Sequence, residues 1–177
     1  MLTVVIPDLE LYDEINNEFL FLKSQTMILE HSLVSLSKWE SKWHKPFFSK
    51  TPKTHEESID YIRCMTVNSV DPRVYNYLPA SVITKVNAYM ENPMTATTIK
   101  QVSKPSREVI TAEIIYYWMV ALNIPFECQK WHLNRLLTLI NVCSIKNKPP
   151  KKMSKKEIVS RNASLNAARR KALHTTG

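Results

Sequence analysis

The chain has 177 residues, of which 44% are hydrophobic and 23% charged, as expected for one globular core with room for a small appendage. Gly177 is the only glycine, which excludes glycine-dependent phosphate loops such as the Walker loop and the dinucleotide-binding turn. The net charge of +8 is uneven: residues 130–177 hold 12 Lys or Arg and one acid, and the rest of the chain holds 12 basic and 15 acidic residues. A slightly acidic body with a strongly basic end is typical of a chain that carries an interaction tail.

The first 31 residues contain the β-strand signals. LTVVI ends at Pro7, and EFLFLK and TMILEH follow, separated by polar residues typical of turns. Helical signals dominate afterwards. Segment 33–43 has leucine and tryptophan at helical spacing and is followed by Pro46, which predicts a helix that ends before the proline. The sequence therefore predicts a short N-terminal β element followed by a helical body.

Two capping boxes and two prolines mark further helix ends. THEE at 54–57 and SKKE at 154–157 place a hydroxyl three residues before a glutamate, which predicts that helices begin there. Pro79 is suited to the first turn of a helix that ends before Pro93.

A longer apolar helix is predicted to start at an N-cap, Ser106, and to be buried on nearly all sides. Its 14-residue apolar run, 109–122, contains Glu113 and is shorter than the ~20 residues that cross a membrane. Segment 127–143 has helical spacing, so the two helices should form an antiparallel hairpin.

Pro149 and Pro150 predict the end of the body, because proline cannot continue a helix. A helix over about 155–173 is plausible, but its apolar residues are few or small, so we expect it to fold against a partner or to fray. The prediction is an α+β fold, mainly α. It has a mostly helical body at 1–147 and a basic, conditionally helical C-terminal arm at 148–177.

No residue set in the sequence defines a reaction. Cys128 and His132 would share a helix face, but a stable zinc site needs further ligands, and Cys64 lacks an evident base. The acids at 8–18 and 56–60 suit helix caps and helix dipoles. We therefore predict a non-enzymatic protein with no catalytic, cofactor-binding or metal-binding residues. Its three cysteines, without CxxC spacing, should be reduced thiols in a cytoplasmic environment.

Two groups of residues are candidates for binding a partner. The aromatic block around Trp39, Trp43, Phe47 and Phe48 is interleaved with lysines, which favours core packing over a partner surface or base stacking. The arm is the stronger candidate, and its cations could bind an acidic protein surface or nucleic acid. Nucleic acid is disfavoured because no aromatic residue follows Trp131, and a membrane because the arm lacks a bulky apolar face. The predicted partner-binding residues are Lys146, Lys148, Lys151, Lys152, Lys155, Lys156, Arg161, Arg169, Arg170 and Lys171.

Several whole segments carry a family resemblance. SLSKWESKWHKPFFS, DYIRCMT, REVITAEIIYYWMVALNIPFECQKWHLNRLLTLI and PPKKMSKKEIVSRNASLNAARRKAL resemble small proteins from the structural-gene clusters of long-tailed bacteriophages. These proteins are commonly identified as tail assembly chaperones. The resemblance covers nearly the full chain, and no family binding residue can be transferred to it position by position.

The resemblance implies a chaperone without enzymatic activity that acts in the host bacterial cytoplasm during virion morphogenesis. It would bind the long helical tape measure protein and help recruit tail-tube subunits, with self-association possible. The alternative is a structural virion protein of the tail or the head–tail junction, whose basic arm contacts DNA or a neighbouring subunit. The resemblance alone does not explain the basic C-terminus, which would also suit this alternative.

Overall fold

The computed structural model describes residues 1–13, 18–99, 109–147 and 154–174, and shows an α+β fold that is mainly α. The chain divides into two compact units, Met1–Lys146 and Asn147–Gly177, next to the predicted boundary at 147/148. Among the described residues, two 3-10 helices lie at Pro72–Tyr77 and Phe126–Lys130. The strands are β1 Leu2–Ile6, β2 Leu9–Asp13, β3 Glu18–Leu22 and β4 Gln25–Leu29, and the helices are α1 Leu33–Trp43, α2 His55–Met65, α3 Ala80–Glu91, α4 Ala112–Ala121, α5 Leu133–Lys146 and α6 Lys155–Leu173.

The four strands form two antiparallel pairs, one nested inside the other. β1 pairs with β4, and β2 pairs with β3, so the pairs follow each other along one long hairpin. Between the pairs, the Ser24 amide donates to Asp8 Oδ1 at 2.6 Å and its hydroxyl donates to the Ile6 carbonyl at 2.9 Å. β2 was not predicted, so the sequence prediction missed one strand of the β2–β3 pair.

The β1–β4 pair packs against the body. Its buried side chains are Val4, Ile6, Met27 and Leu29, at alternating positions that place them on one face. The other edge of β4 is joined to the chain after α2, since Glu30 N donates to the Met65 carbonyl at 2.8 Å and Val67 N donates to the Ile28 carbonyl at 3.0 Å. This half of the hairpin is therefore fixed by both packing and hydrogen bonds.

Helix α1 has its predicted bounds and supplies the centre of the core. Ser32 caps its N-terminus, and His44 ends it in the left-handed conformation with φ 51°. Trp39 is 1% exposed, and its indole N–H donates to the Glu57 carbonyl of α2 at 2.8 Å. The predicted capping box of α2 is confirmed, and α3 begins at Ala80 with Pro79 as N-cap, one residue later than predicted.

The prediction for α4 was wrong in two respects. The helix begins at Ala112 with Thr111 as N-cap, whereas the predicted cap, Ser106, lies outside the described residues. It also has an exposed face: Tyr117 is 68% and Val120 59% exposed, although Ile115 is fully buried. Helix α4 thus has apolar residues on more of its faces than the core can bury.

The segment after α4 is also more broken than predicted. Cys128 lies on a 3-10 helix that ends at Lys130, and α5 begins only at Leu133. Cys128 and His132 therefore do not share a helix face, so the prediction that one helix brings their side chains together is wrong. Helix α4 contacts both α1 and α5. None of the described helices combines the length and the hydropathy that a membrane span requires.

Candidate partner-binding surfaces

Helix α6 is the longest helix of the described chain, with 19 residues, and it buries none of its side chains. Its predicted capping box is confirmed: the Ser154 hydroxyl accepts from Glu157 N at 3.2 Å, and Glu157 Oε2 accepts from Ser154 N at 2.7 Å. The hydrogen bond from the Ser154 amide lowers the pKa of Glu157. His174 ends the helix in the left-handed conformation. Local capping therefore defines both ends of a helix that has no buried side chain.

The structure describes seven of the ten predicted partner-binding residues. Lys146 is the exposed last residue of α5, whereas Lys148, Lys151 and Lys152 lie outside the described residues. The other six, all exposed, are on α6: Lys155, Lys156, Arg161, Arg169, Arg170 and Lys171. With one acid on the same helix, α6 carries a net charge of +5.

One side of α6 combines apolar and basic residues. Ile158, Leu165 and Ala172 are spaced seven residues apart, so they lie on one face of the helix. Ile158 and Leu165 are each 44% exposed. Arg169 follows Leu165 by four residues and joins the same face. This apolar–basic face, defined as Ile158, Leu165, Arg169 and Ala172, is narrow and suits a partner that presents apolar groups and negative charge.

The β2–β3 pair, which we call the ribbon tip, is a second exposed surface that the sequence prediction missed. Phe19 is 64% and Phe21 66% exposed, and the rings of Tyr12 and Phe19 are 5.1 Å apart. The register Tyr12↔Phe19 and Glu10↔Phe21 places these four residues on one face of the pair. The apolar–polar alternation in LELYD was the signal for β2 available in the sequence.

The ribbon tip is acidic and has a recess beside its aromatic residues. Residues 8–22 contain five acids and no Lys or Arg, a net charge of −5. A recess of about 520 Å³ is lined by Asp8, Glu10, Phe21, Leu22 and Lys23. Apolar rings next to carboxylates fit a partner that is both apolar and basic.

Among the residues that the structure describes in the body, three carboxylates are buried, and each has partners that give it a structural role. Glu40 on α1 is 7% exposed. Its Oε1 accepts from Phe47 N at 2.7 Å, and its Oε2 accepts from Ala112 N at 2.7 Å. Thr111 makes no side-chain capping bond. Glu40 therefore caps the first turn of α4 from another helix and holds α1, the following loop and α4 together.

The other two buried carboxylates belong to α2, in the predicted acidic group 56–60. Glu57 accepts from the Thr54 amide at 2.9 Å and from the Lys45 ammonium, and these hydrogen bonds lower its pKa, with that of Lys45 the largest cause. Asp60 accepts from Lys42 Nζ at 2.5 Å and from the Trp43 indole at 2.9 Å. Two of the lysines interleaved with the aromatic block, Lys42 and Lys45, thus form ion pairs with carboxylates of α2.

Two histidines and two tyrosines form a polar cluster between β4, α2, α3 and α5, in which His31, Tyr61 and Tyr89 are buried and His132 is half-buried. The Tyr61 hydroxyl and His31 Nδ1 form a hydrogen bond of 2.7 Å, and burial raises the pKa of Tyr61 well above its usual value, so the hydroxyl keeps its proton. His132 Nε2 lies 3.0 Å from the Tyr89 carbonyl and donates to it. This leaves His132 Nδ1 buried without a hydrogen-bond partner among the described residues.

The electrostatics of this cluster favour neutral histidines. The rings of His31 and His132 are 5.0 Å apart. Burial, and then the proximity of His132, lowers the pKa of His31 to about 4. Burial also lowers the pKa of His132. Since a proton on either ring would be a buried charge next to a second imidazole, the cluster is a pH-sensitive part of the core.

Cys64, Cys128 and His132 are the residues that the sequence analysis weighed as metal ligands or nucleophiles. Among the described residues, no three or more His, Cys, Asp or Glu side chains are grouped as metal ligands would be. Cys64, Cys128 and Cys143 form no disulfide. Burial raises the pKa of the Cys64 and Cys128 thiols, whereas an activated nucleophile requires a lowered pKa.

Compared with protein-family models, curated proteins and solved structures, the chain matches none of them. The two candidate surfaces, the apolar–basic face of α6 and the ribbon tip, therefore rest on exposure, charge and geometry.

Proposed function

We propose that this protein is a non-enzymatic tail assembly chaperone of a long-tailed bacteriophage, and that it binds the tape measure protein in the host cytoplasm during tail morphogenesis. One observation carries the proposal: α6 is a capped helix of 19 residues without a single buried side chain. An isolated helix of this length is only marginally stable in water. It gains stability when a partner covers its apolar–basic face, which is the behaviour required of a segment that binds during assembly.

The chemistry of α6 suits a helical client. Ile158 and Leu165 supply apolar contacts at helical spacing, and the surrounding cations pair with acidic side chains of the partner. Because these cations are exposed, each ion pair contributes little on its own, so binding is reversible and sensitive to salt. A chaperone needs such reversibility, since tail-tube subunits must replace it along the tape measure protein.

A structural virion protein at the head–tail junction is the second candidate, and the charge of the C-terminal region favours it. Residues 130–177 hold 12 Lys or Arg against one acid, which is enough to neutralise phosphates or to hold an acidic neighbouring subunit. No aromatic residue follows Trp131, so the arm at 148–177 has no aromatic side chain on which bases could stack.

The composition of mature particles distinguishes the two candidates. Mass spectrometry of purified virions is expected to detect no peptides of this chain, because a chaperone leaves before the tail is complete. Peptides of the tape measure and tube proteins in the same sample serve as the sensitivity control, and a lysate of infected cells shows that the chain itself is detectable. A fixed copy number in the particle would overturn the chaperone proposal in favour of the structural protein.

A further inference from the structure

We propose that the ribbon tip of one copy of this protein binds α6 of a second copy. The inference goes beyond the proposed function, because it concerns the chain alone and needs no client. The occupant is identified by chemistry: the ribbon tip is apolar and acidic, and α6 is an exposed helix that is apolar and basic.

The ribbon tip exposes large apolar side chains to solvent. Phe19 and Phe21 are both about two-thirds exposed on one face. Leu22 follows Phe21 in the strand, so it lies on the opposite face, where it is buried. Strands that are apolar on both faces are typical of sheets covered on both sides, and a two-stranded pair is marginally stable alone. A partner on the aromatic face would supply the missing cover.

Charge selects a basic partner and disfavours a second ribbon tip. Residues 8–22 carry −5, so two ribbon tips would bring like charges together. Helix α6 carries +5, with six Lys or Arg and one acid. The two segments carry net charges of equal magnitude and opposite sign, and the described acids Asp8 and Glu10 are exposed, as are the six cations of α6.

The dimensions of the two surfaces also agree. A five-residue antiparallel strand is roughly 17 Å long, and about eleven residues of α-helix span the same distance. The stretch from Ile158 to Arg169 has this length and includes Leu165. Leu165 can then pack on the exposed phenylalanine rings, while the Arg169 guanidinium lies over an aromatic face or pairs with Glu10.

This contact is heterologous, because a different surface of each copy takes part. Each copy offers one ribbon tip and one α6, so successive copies form either an open chain or a closed ring. The mean mass of the assembly therefore rises with protein concentration. Its charged component weakens as salt screens the two surfaces.

Sedimentation of the purified full chain, measured over a range of concentrations at low and high salt, tests the proposal. We expect the mean mass to rise with concentration at low salt and to fall as salt is added. The double substitution Phe19→Ser and Phe21→Ser should lower the association constant at least about tenfold. Tyr117→Ser with Val120→Ser is the matched control, since it removes equally exposed apolar side chains from α4 and should leave association unchanged.

Mixing two variants tests the pairing itself. Leu165→Ser with Arg169→Glu disables α6, and both residues are exposed, so the fold should be retained. Each variant alone should be monomeric, whereas an equimolar mixture should give one-to-one dimers and no larger species, because only one competent contact remains. Circular dichroism checks folding. A wild-type chain that is monomeric at all concentrations, association that survives the α6 substitutions, or a mixture that stays monomeric would each overturn the proposal.

Discussion

Replacing Glu40 with alanine is expected to lower the free energy of unfolding by roughly 4 kcal/mol. The substitution removes the acceptor for two buried amides, those of Phe47 and Ala112. Each buried donor left without a partner costs about 1–3 kcal/mol. Ala112 is fully buried, so water does not reach its amide without local opening of α4. Urea unfolding at neutral pH measures the loss.

Two further variants make the Glu40 result interpretable. Glu40→Gln keeps one carbonyl acceptor and the side-chain volume, so it should cost roughly half as much as the alanine variant. Glu91→Ala removes an exposed carboxylate from the end of α3 and should change stability by less than about 0.5 kcal/mol. If Glu40→Ala were no more destabilising than Glu91→Ala, Glu40 would not cap α4.

Mild acid is expected to destabilise the body through the His31–His132 cluster. The ordinary histidine pKa is 6.5, whereas burial and the neighbouring His132 lower the pKa of folded His31 to about 4. The unfolded chain therefore takes up this proton first as the pH falls. The stability contributed by neutral His31 is fully present above pH 6.5. Relative to neutral pH, the total loss in the free energy of unfolding is about 2 kcal/mol at pH 5 and about 3 kcal/mol near pH 4.

Urea unfolding between pH 7 and pH 5 isolates this effect. Carboxylates with lowered pKa values, such as Asp71 at about 2 and Glu57, lose their contribution at lower pH. His31→Asn keeps an acceptor for the Tyr61 hydroxyl but cannot titrate, so its stability should depend much less on pH, with the remaining slope due to His132. An equal slope in the wild type and in His31→Asn would contradict the role assigned to His31.

Elements governed by local sequence were predicted well. The bounds of α1 follow from its apolar spacing, and both capping boxes follow from the hydroxyl–glutamate spacing at Thr54 and Ser154. The exposure of α6 also follows from its own composition, because few of its residues can be buried. In each case neighbouring residues in the chain supply the relevant interactions.

Features that depend on distant residues were not predicted. The start of α4 at Ala112 depends on a carboxylate 72 positions earlier, Glu40. Strand β2 is rich in acids, which lowers its strand propensity, and it is held by pairing with β3. The contact between His31 and His132 joins segments far apart in the sequence. Tertiary contacts decide the start of α4 and the histidine contact, and no local pattern encodes these two features.

The proposed function and the proposed self-association use α6 in two ways. A client helix and the ribbon tip of a second copy would compete for the apolar–basic face defined by Ile158, Leu165, Arg169 and Ala172. Binding of the client would then release the ribbon tip. Before the client is made, self-association would keep the apolar–basic face of α6 covered by the ribbon tip of a second copy.

Co-expression with fragments of the tape measure protein is the most direct test of the proposed chaperone activity. The wild-type chain is expected to raise the soluble fraction of the tape measure protein and to co-purify with it. A chain that lacks residues 148–177 should lose this effect, and the Tyr117→Ser, Val120→Ser control should keep it. If the tape measure protein stays insoluble with the wild-type chain, or is equally soluble with the truncated chain, the proposed function or the role of α6 is contradicted.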